Sequence, residues 1–158
     1  MSYKTAALFV SKYESSVLSN PCAFPVVSKI VVNLKAYIVE DNPRIRDNLV
    51  ATLDELTNVR TVGFSDNEEE SKHWLSTHQE DWDLAIVDLF LKNGNGLEVL
   101  AACKATMPLK KIIVLSNYAT PDVRQRCMKL GADAVFDKSN DIDALLAYCN
   151  QQSPAVPD

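Results

Sequence analysis

From residue 34 onward the spacing of apolar residues along the chain keeps changing. Continuous apolar runs alternate with stretches where apolar residues recur every three or four positions. Leu34–Val39 is a run of the first kind, and Ile45, Leu49, Leu53 and Leu56 form one face of a helix behind it. Asn42-Pro43 stands where that helix should start, Asn as its N-cap and Pro as its first helical residue. Val59–Phe64 reads as a second strand and 67–78 as a charged helix. Leu84–Val87 is a third strand, followed by a loop at Gly94–Gly96 and a helix over Leu97–Met107. Ile112–Leu115 is a fourth strand; Thr120-Pro121 then opens a helix that Gly131 closes. Ala134–Phe136 is a short fifth strand, and Asn140 is the expected cap of a last helix reaching about Asn150.

Strands that alternate with helices of this length imply crossover connections and a parallel sheet. The strands are apolar throughout, as they must be when helices cover both faces. The expected fold is therefore α/β, a doubly wound five-stranded parallel sheet over residues 34–150. Residues 1–33 form an N-terminal extension, read either as a short amphipathic helix on Ala6, Phe9, Val10, Tyr13 and Val17 or as largely disordered. Residues 151–158 read as a flexible, Pro-bearing tail.

Composition narrows the function. A chain of 158 residues with 47% apolar and 23% charged residues is an ordinary globular protein of one domain. Its formal charge of −5 argues against a nucleic-acid surface, which needs a basic patch. No apolar stretch approaches the roughly 20 residues of a membrane span. The four cysteines, Cys22, Cys103, Cys127 and Cys149, form no CxxC pair and read as reduced thiols of a cytoplasmic protein. His73 and His78 are poorly spaced for a shared metal and read as surface residues, and Trp74 and Trp82 as packing.

The chemistry lies at the strand ends. Parallel strands all finish at one edge of the sheet, so the residues that follow them share a rim. The first strand ends in Glu40-Asp41, the third in Asp88, the fourth in Ser116 and the fifth in Asp137-Lys138. Carboxylates held close resist joint ionisation unless a cation compensates. A hard divalent ion such as Mg²⁺ suits them, since it takes oxygen ligands and commonly binds one or two carboxylates and a phosphate. With a lysine beside an aspartate, such a site can support phosphoryl transfer to a carboxylate. Each residue also has a plainer reading: Asp41 as a helix cap, Ser116 as a loop serine, Lys138 as a solvated side chain. The acidic run Glu68–Glu70 reads as a solvated helix face.

The segment 34–150 resembles the receiver domain of two-component response regulators. The likeness rests on Glu40-Asp41 after the first strand, DLFLKNGNG with Gly96 eight residues after Asp88, Ser116 after VL, and GADAVFDK ending at Lys138. The resemblance implies a flavodoxin-like strand order 2-1-3-4-5. It implies that Asp88 is the phospho-acceptor, that Asp41 binds Mg²⁺ directly and Glu40 directly or through water, and that the Phe90 backbone carbonyl is a further ligand. Ser116 would bond the incoming phosphoryl group and Lys138 would pair with Asp88. The chain departs from the family's usual pattern at Val135, where an aromatic reporter commonly sits. It departs again at Ser139, where Pro is usual, and at Asn117-Tyr118 after the serine. Tyr118 is the expected substitute reporter.

The expected function is a stand-alone receiver in a phosphorelay. Asp88 would take its phosphoryl group from a sensor histidine kinase or a histidine phosphotransfer protein and thereby switch contacts with a downstream protein target. Such a protein is no enzyme beyond promoting its own phosphorylation and dephosphorylation, and involves neither nucleic acid nor membrane. The alternative is a pseudo-receiver, a binding module that is never phosphorylated. An aspartyl-phosphate hydrolase would want a second Asp where Phe90 stands, and a flavodoxin would want small residues where EDNPR stands.

Overall fold

The computed structural model of the chain describes residues 32–152. Five strands form one parallel sheet: β1 (Leu34–Val39), β2 (Val59–Ser65), β3 (Leu84–Val87), β4 (Lys111–Ser116) and β5 (Ala134–Asp137), in the order β2-β1-β3-β4-β5. Between and after them run α1 (Pro43–Leu56), α2 (Glu68–Thr77), α3 (Gly96–Thr106), α4 (Pro121–Lys129) and α5 (Ile142–Gln152). The doubly wound five-stranded sheet expected from the alternation is present, in the flavodoxin-like order. The amphipathic helix expected near the N-terminus and residues 153–158 of the expected tail lie outside the described residues.

Alternation along each strand sorts the core into two layers. Tyr37, Val39, Ala85, Val87, Ile112, Val114 and Val135 face α2, α3 and α4, where they meet Leu75, Val99, Leu100, Cys103 and Cys127. Ala36, Ile38, Leu84, Ile86, Ile113 and Leu115 face the other way, against Leu49 and Leu53 of α1 and Leu145 and Cys149 of α5. Phe136 packs with this second layer, on the opposite face from Val135, as period-two alternation requires. Trp82 is fully buried, and its Nε1–H donates to the Leu75 carbonyl at 3.1 Å. Trp74 stacks between Tyr37 and His78 at 4.2 and 4.6 Å, so both tryptophans serve packing and His78 is part of an aromatic stack.

The helix caps bear directly on the site. Asn42 caps α1, its side chain accepting from the Arg44 and Ile45 amides, with Pro43 behind it. Asn95 caps α3 and Thr120 caps α4 through their own side chains. Neither Asp41 nor Asp88 is used as a cap, so the plainer reading of these carboxylates fails on geometry. Two expectations shift. Asp141, not Asn140, immediately precedes α5, because the Asp137 side chain takes the amides of Ser139 and Asn140 and closes a turn there first. The helix then continues to Gln152, past the expected end at Asn150. In β2 the pairing with β1 skips Val62, a bulge that places Gly63 against the Tyr37 ring. A Cβ on Gly63 would lie 3.0 Å from that ring.

Candidate functional site

Two strands deliver the acidic residues to one place. Glu40 follows β1 and is almost fully buried, Asp41 is next in the chain, and Asp88 follows β3 and is also buried. One carboxylate oxygen from each lies within 4.8 Å of the others. The backbone locks the two strand ends together: the Asp88 amide donates to the Val39 carbonyl at 2.9 Å. Lys138, after β5, completes the cluster. Its Nζ lies 2.9 Å from Asp88 Oδ2 and 2.5 Å from Glu40 Oε2, with side chains exposed by only 9% or less.

Burial decides the charges here. It pushes the Glu40 carboxyl up, and the bonds from Lys138 and the Asn42 amide only partly counter this. Burial also presses the Lys138 ammonium down, but its hydrogen bonds to Asp88 and Glu40 and the charge of those carboxylates outweigh it, leaving the pKa above its ordinary value. Lys138 is thus a fixed cation between two buried acids. Three carboxylates against one ammonium leave surplus negative charge, and every donor atom is a hard oxygen. That donor set fits Mg²⁺.

The loop after β3 is anchored on both sides. The Lys92 amide donates to Asp41 Oδ2 at 2.7 Å, and the Asn95 amide to Glu68 Oε2 at 2.9 Å. Glu68, at the start of α2, also donates its amide to the Asn93 carbonyl and pairs with Lys72. The acidic run is therefore not merely solvated at its first residue; Glu68 fastens α2 to the loop that carries Phe90. Two glycines are required. A Cβ on Gly96 would fall 2.0 Å from the Asp88 carbonyl oxygen, and one on Gly94, at φ +100°, would meet Glu68.

Ser116 ends β4 and is fully buried. Its Oγ accepts the Tyr118 amide at 3.2 Å, and its carbonyl accepts the Lys138 amide at 3.0 Å, so the two rim loops are joined by their backbones. Phe90 and Tyr118 are largely exposed, and their rings meet edge to face with centroids 5.0 Å apart. A groove of about 490 Å³ opens beside Asp41, Phe90, Lys92, Leu97, Val123 and Arg126. The structure thus gathers Glu40, Asp41, Asp88 and Lys138 into one contact cluster, with Ser116, Phe90 and Tyr118 in the loops around it. Sequence reasoning did not find Glu68 or Arg124, whose contacts lie far off in the chain; Arg124 is taken up below.

Comparison with known proteins agrees with this architecture. Residues 36–150 match the family model of the response regulator receiver domain. The chain belongs to that family. It is similar to the photosynthetic apparatus regulatory protein RegA of Rhodobacter capsulatus, 34% identical over 77 residues that cover 47% of this chain and 42% of RegA. It is also similar to the response regulator protein PilR of Pseudomonas aeruginosa, 29% identical over 70% of this chain and 24% of PilR. Its fold matches a DNA-binding response regulator of the LuxR family from Staphylococcus aureus, with a TM-score of 0.67 at 20% identity, covering 75% of this chain and 97% of that one. The chain spans half the length, or less, of these two curated relatives. Among the described residues no helix is long and apolar enough to cross a membrane.

Proposed function

We propose that this receiver domain is an active phospho-acceptor switch, with Asp88 as the residue that is phosphorylated. The observation that carries the reading is the contact cluster of Glu40, Asp41 and Asp88 with Lys138 bonded to two of them. A carboxylate oxygen of Asp88 attacks the phosphorus of a phosphohistidine on a sensor kinase or histidine phosphotransfer protein. The P–N bond breaks, its electron pair leaves on the imidazole, which takes up a proton, and Asp88 becomes an acyl phosphate. Water later attacks the phosphorus, which returns the carboxylate and releases inorganic phosphate. The protein promotes only these two steps on itself.

Asp41, Asp88 and the Phe90 carbonyl would hold Mg²⁺ directly in this reading. Glu40 has one oxygen engaged by the Asn42 amide and the other by Lys138, which suits contact through a bound water. When bound, Mg²⁺ neutralises charge on the phosphoryl oxygens. Lys138 supplies a second cation to them, and the Ser116 hydroxyl, whose oxygen accepts the Tyr118 amide, turns to donate its hydrogen to a phosphoryl oxygen. That movement draws the loop inward, and the exposed Tyr118 ring reports it to the surface. The groove beside Asp41 and Phe90 gives the donor access. The output is a changed contact with a downstream protein, in the cytoplasm and without nucleic acid or membrane.

The pseudo-receiver alternative is disfavoured by the intact acid cluster and its lysine. Incubation with acetyl phosphate and Mg²⁺ decides between them. A gain of one phosphoryl mass that Asp88→Asn abolishes supports the switch, and no gain in the wild type refutes it. The finer reading, a stand-alone receiver, is tested by immunoblot of the native protein. A band near 17.5 kDa supports it and a much larger one overturns it.

A further inference from the structure

Arg124 of α4 makes three hydrogen bonds to three different elements. Its Nε–H donates to the Ala119 carbonyl at 2.9 Å, in the loop that carries Ser116 and Tyr118. Its Nη1–H donates to the Val135 carbonyl of β5 at 2.6 Å. Its Nη2–H donates to Asp141 Oδ2 at 2.6 Å, just before α5. The same Asp141 oxygen accepts the Asp137 amide at 2.9 Å, and Asp137 Oδ1 accepts the amides of Ser139 and Asn140. Those bonds shape the turn on which Lys138 stands.

A half-exposed ion pair alone contributes little. What sets Arg124 apart is the rigid planar fork, which fixes the spacing of two backbone carbonyls and a carboxylate at once. The loop it holds on one side carries Ser116, and the turn it holds on the other carries Lys138. The residues of the acidic cluster, by contrast, stand on β1 and β3 and make no hydrogen bond to Arg124.

We propose that Arg124, through the Ala119 carbonyl and Asp141, is a positioning residue that sets Ser116 and Lys138 in register for phosphoryl transfer at Asp88. This inference rests on Asp88 being the phospho-acceptor. It assigns to Arg124 the transfer step and not the metal. Mg²⁺ affinity therefore does not fall when Arg124 is changed, since displacing the Lys138 ammonium removes no metal ligand, while the rate at saturating Mg²⁺ drops.

The test measures Mg²⁺ affinity by titration calorimetry and the rate of Asp88 phosphorylation by acetyl phosphate, in wild type, Arg124→Ala, Arg124→Lys and Asp141→Asn. Misplacing two phosphoryl contacts should slow transfer about tenfold in Arg124→Ala with no loss of Mg²⁺ affinity. Arg124→Lys, which cannot span three acceptors, should recover little of the rate, and Asp141→Asn, which keeps an acceptor oxygen, should fall between. A wild-type rate in folded Arg124→Ala overturns the inference, and so does a Mg²⁺ affinity that falls in step with the rate. If Arg124→Ala does not fold, Asp141→Asn carries the same two readouts, and a wild-type rate there overturns it equally. Absence of phosphorylation in the wild type is a different result, and refutes the phospho-acceptor reading itself.

Discussion

Lys138 and Asp88, 50 residues apart in the chain, meet at 2.9 Å because β3 and β5 end on the same edge of one parallel sheet. Glu40 lies on the other side of the same ammonium. Replacing Lys138 by Met therefore leaves two buried carboxylates facing each other without a cation. The expected loss is about 3–5 kcal/mol at pH 7. It should shrink at pH 5, where Glu40, pushed up by burial, can take up a proton, and shrink again when Mg²⁺ is added. Urea unfolding at both pH values, with and without Mg²⁺, checks this; a loss independent of pH and metal would contradict it.

Gly96→Ala is expected to damage the site without touching any carboxylate. The added Cβ would fall on the Asp88 carbonyl oxygen, so the strand end or the helix start must move. Overpacking of this kind costs about 1–3 kcal/mol. Mg²⁺ titration should show weakened binding alongside the lost stability, because the displaced backbone is that of Asp88 itself. Unchanged Mg²⁺ affinity would mean that the loop absorbs the methyl group elsewhere.

The edge-to-face pair of Phe90 and Tyr118 sits in the two loops that flank Asp88 and Ser116. Replacing both rings with small polar residues should open the approach of water and shorten the life of the acyl phosphate several-fold. Decay of the phosphorylated protein, followed by intact mass, checks it. A lifetime equal to the wild type would remove the shielding role.

Alkaline pH should unfold the domain through its buried thiols. Burial pushes both Cys103 and Cys149 up to about 11. Unfolded cysteines ionise near 8.5, so between these values the unfolded state binds fewer protons and stability falls as pH rises. The slope is about 1.4 kcal/mol per pH unit for each thiol. Denaturant unfolding of Cys103→Ala and Cys149→Ala between pH 8 and 11 should show flatter curves than the wild type. Curves of equal slope would contradict the assignment.

Much of this was legible before any coordinates. The strands Leu34–Val39 and Leu84–Val87 coincide with apolar runs, and parallel pairing then brings Glu40, Asp41, Asp88, Ser116 and Lys138 to one rim as a consequence of topology. What escaped was set by side chains that meet across the chain. Glu68 looks like one acid in a solvated run until the loop at Asn93–Asn95 folds against it. Arg124 looks like an ordinary helix-surface arginine until β5 and Asp141 come within its reach. The bulge at Val62 brings Gly63 against the Tyr37 ring, a contact that no periodicity records.

Borohydride reduction of the acetyl-phosphate-treated protein tests the central claim most directly, since it converts an aspartyl phosphate to homoserine and marks the residue that carried it. Peptide mass spectrometry should then find homoserine at position 88 alone, dependent on Mg²⁺ and absent from Asp88→Asn. Homoserine at Asp41 or Asp137 instead, or none at all, would contradict the account.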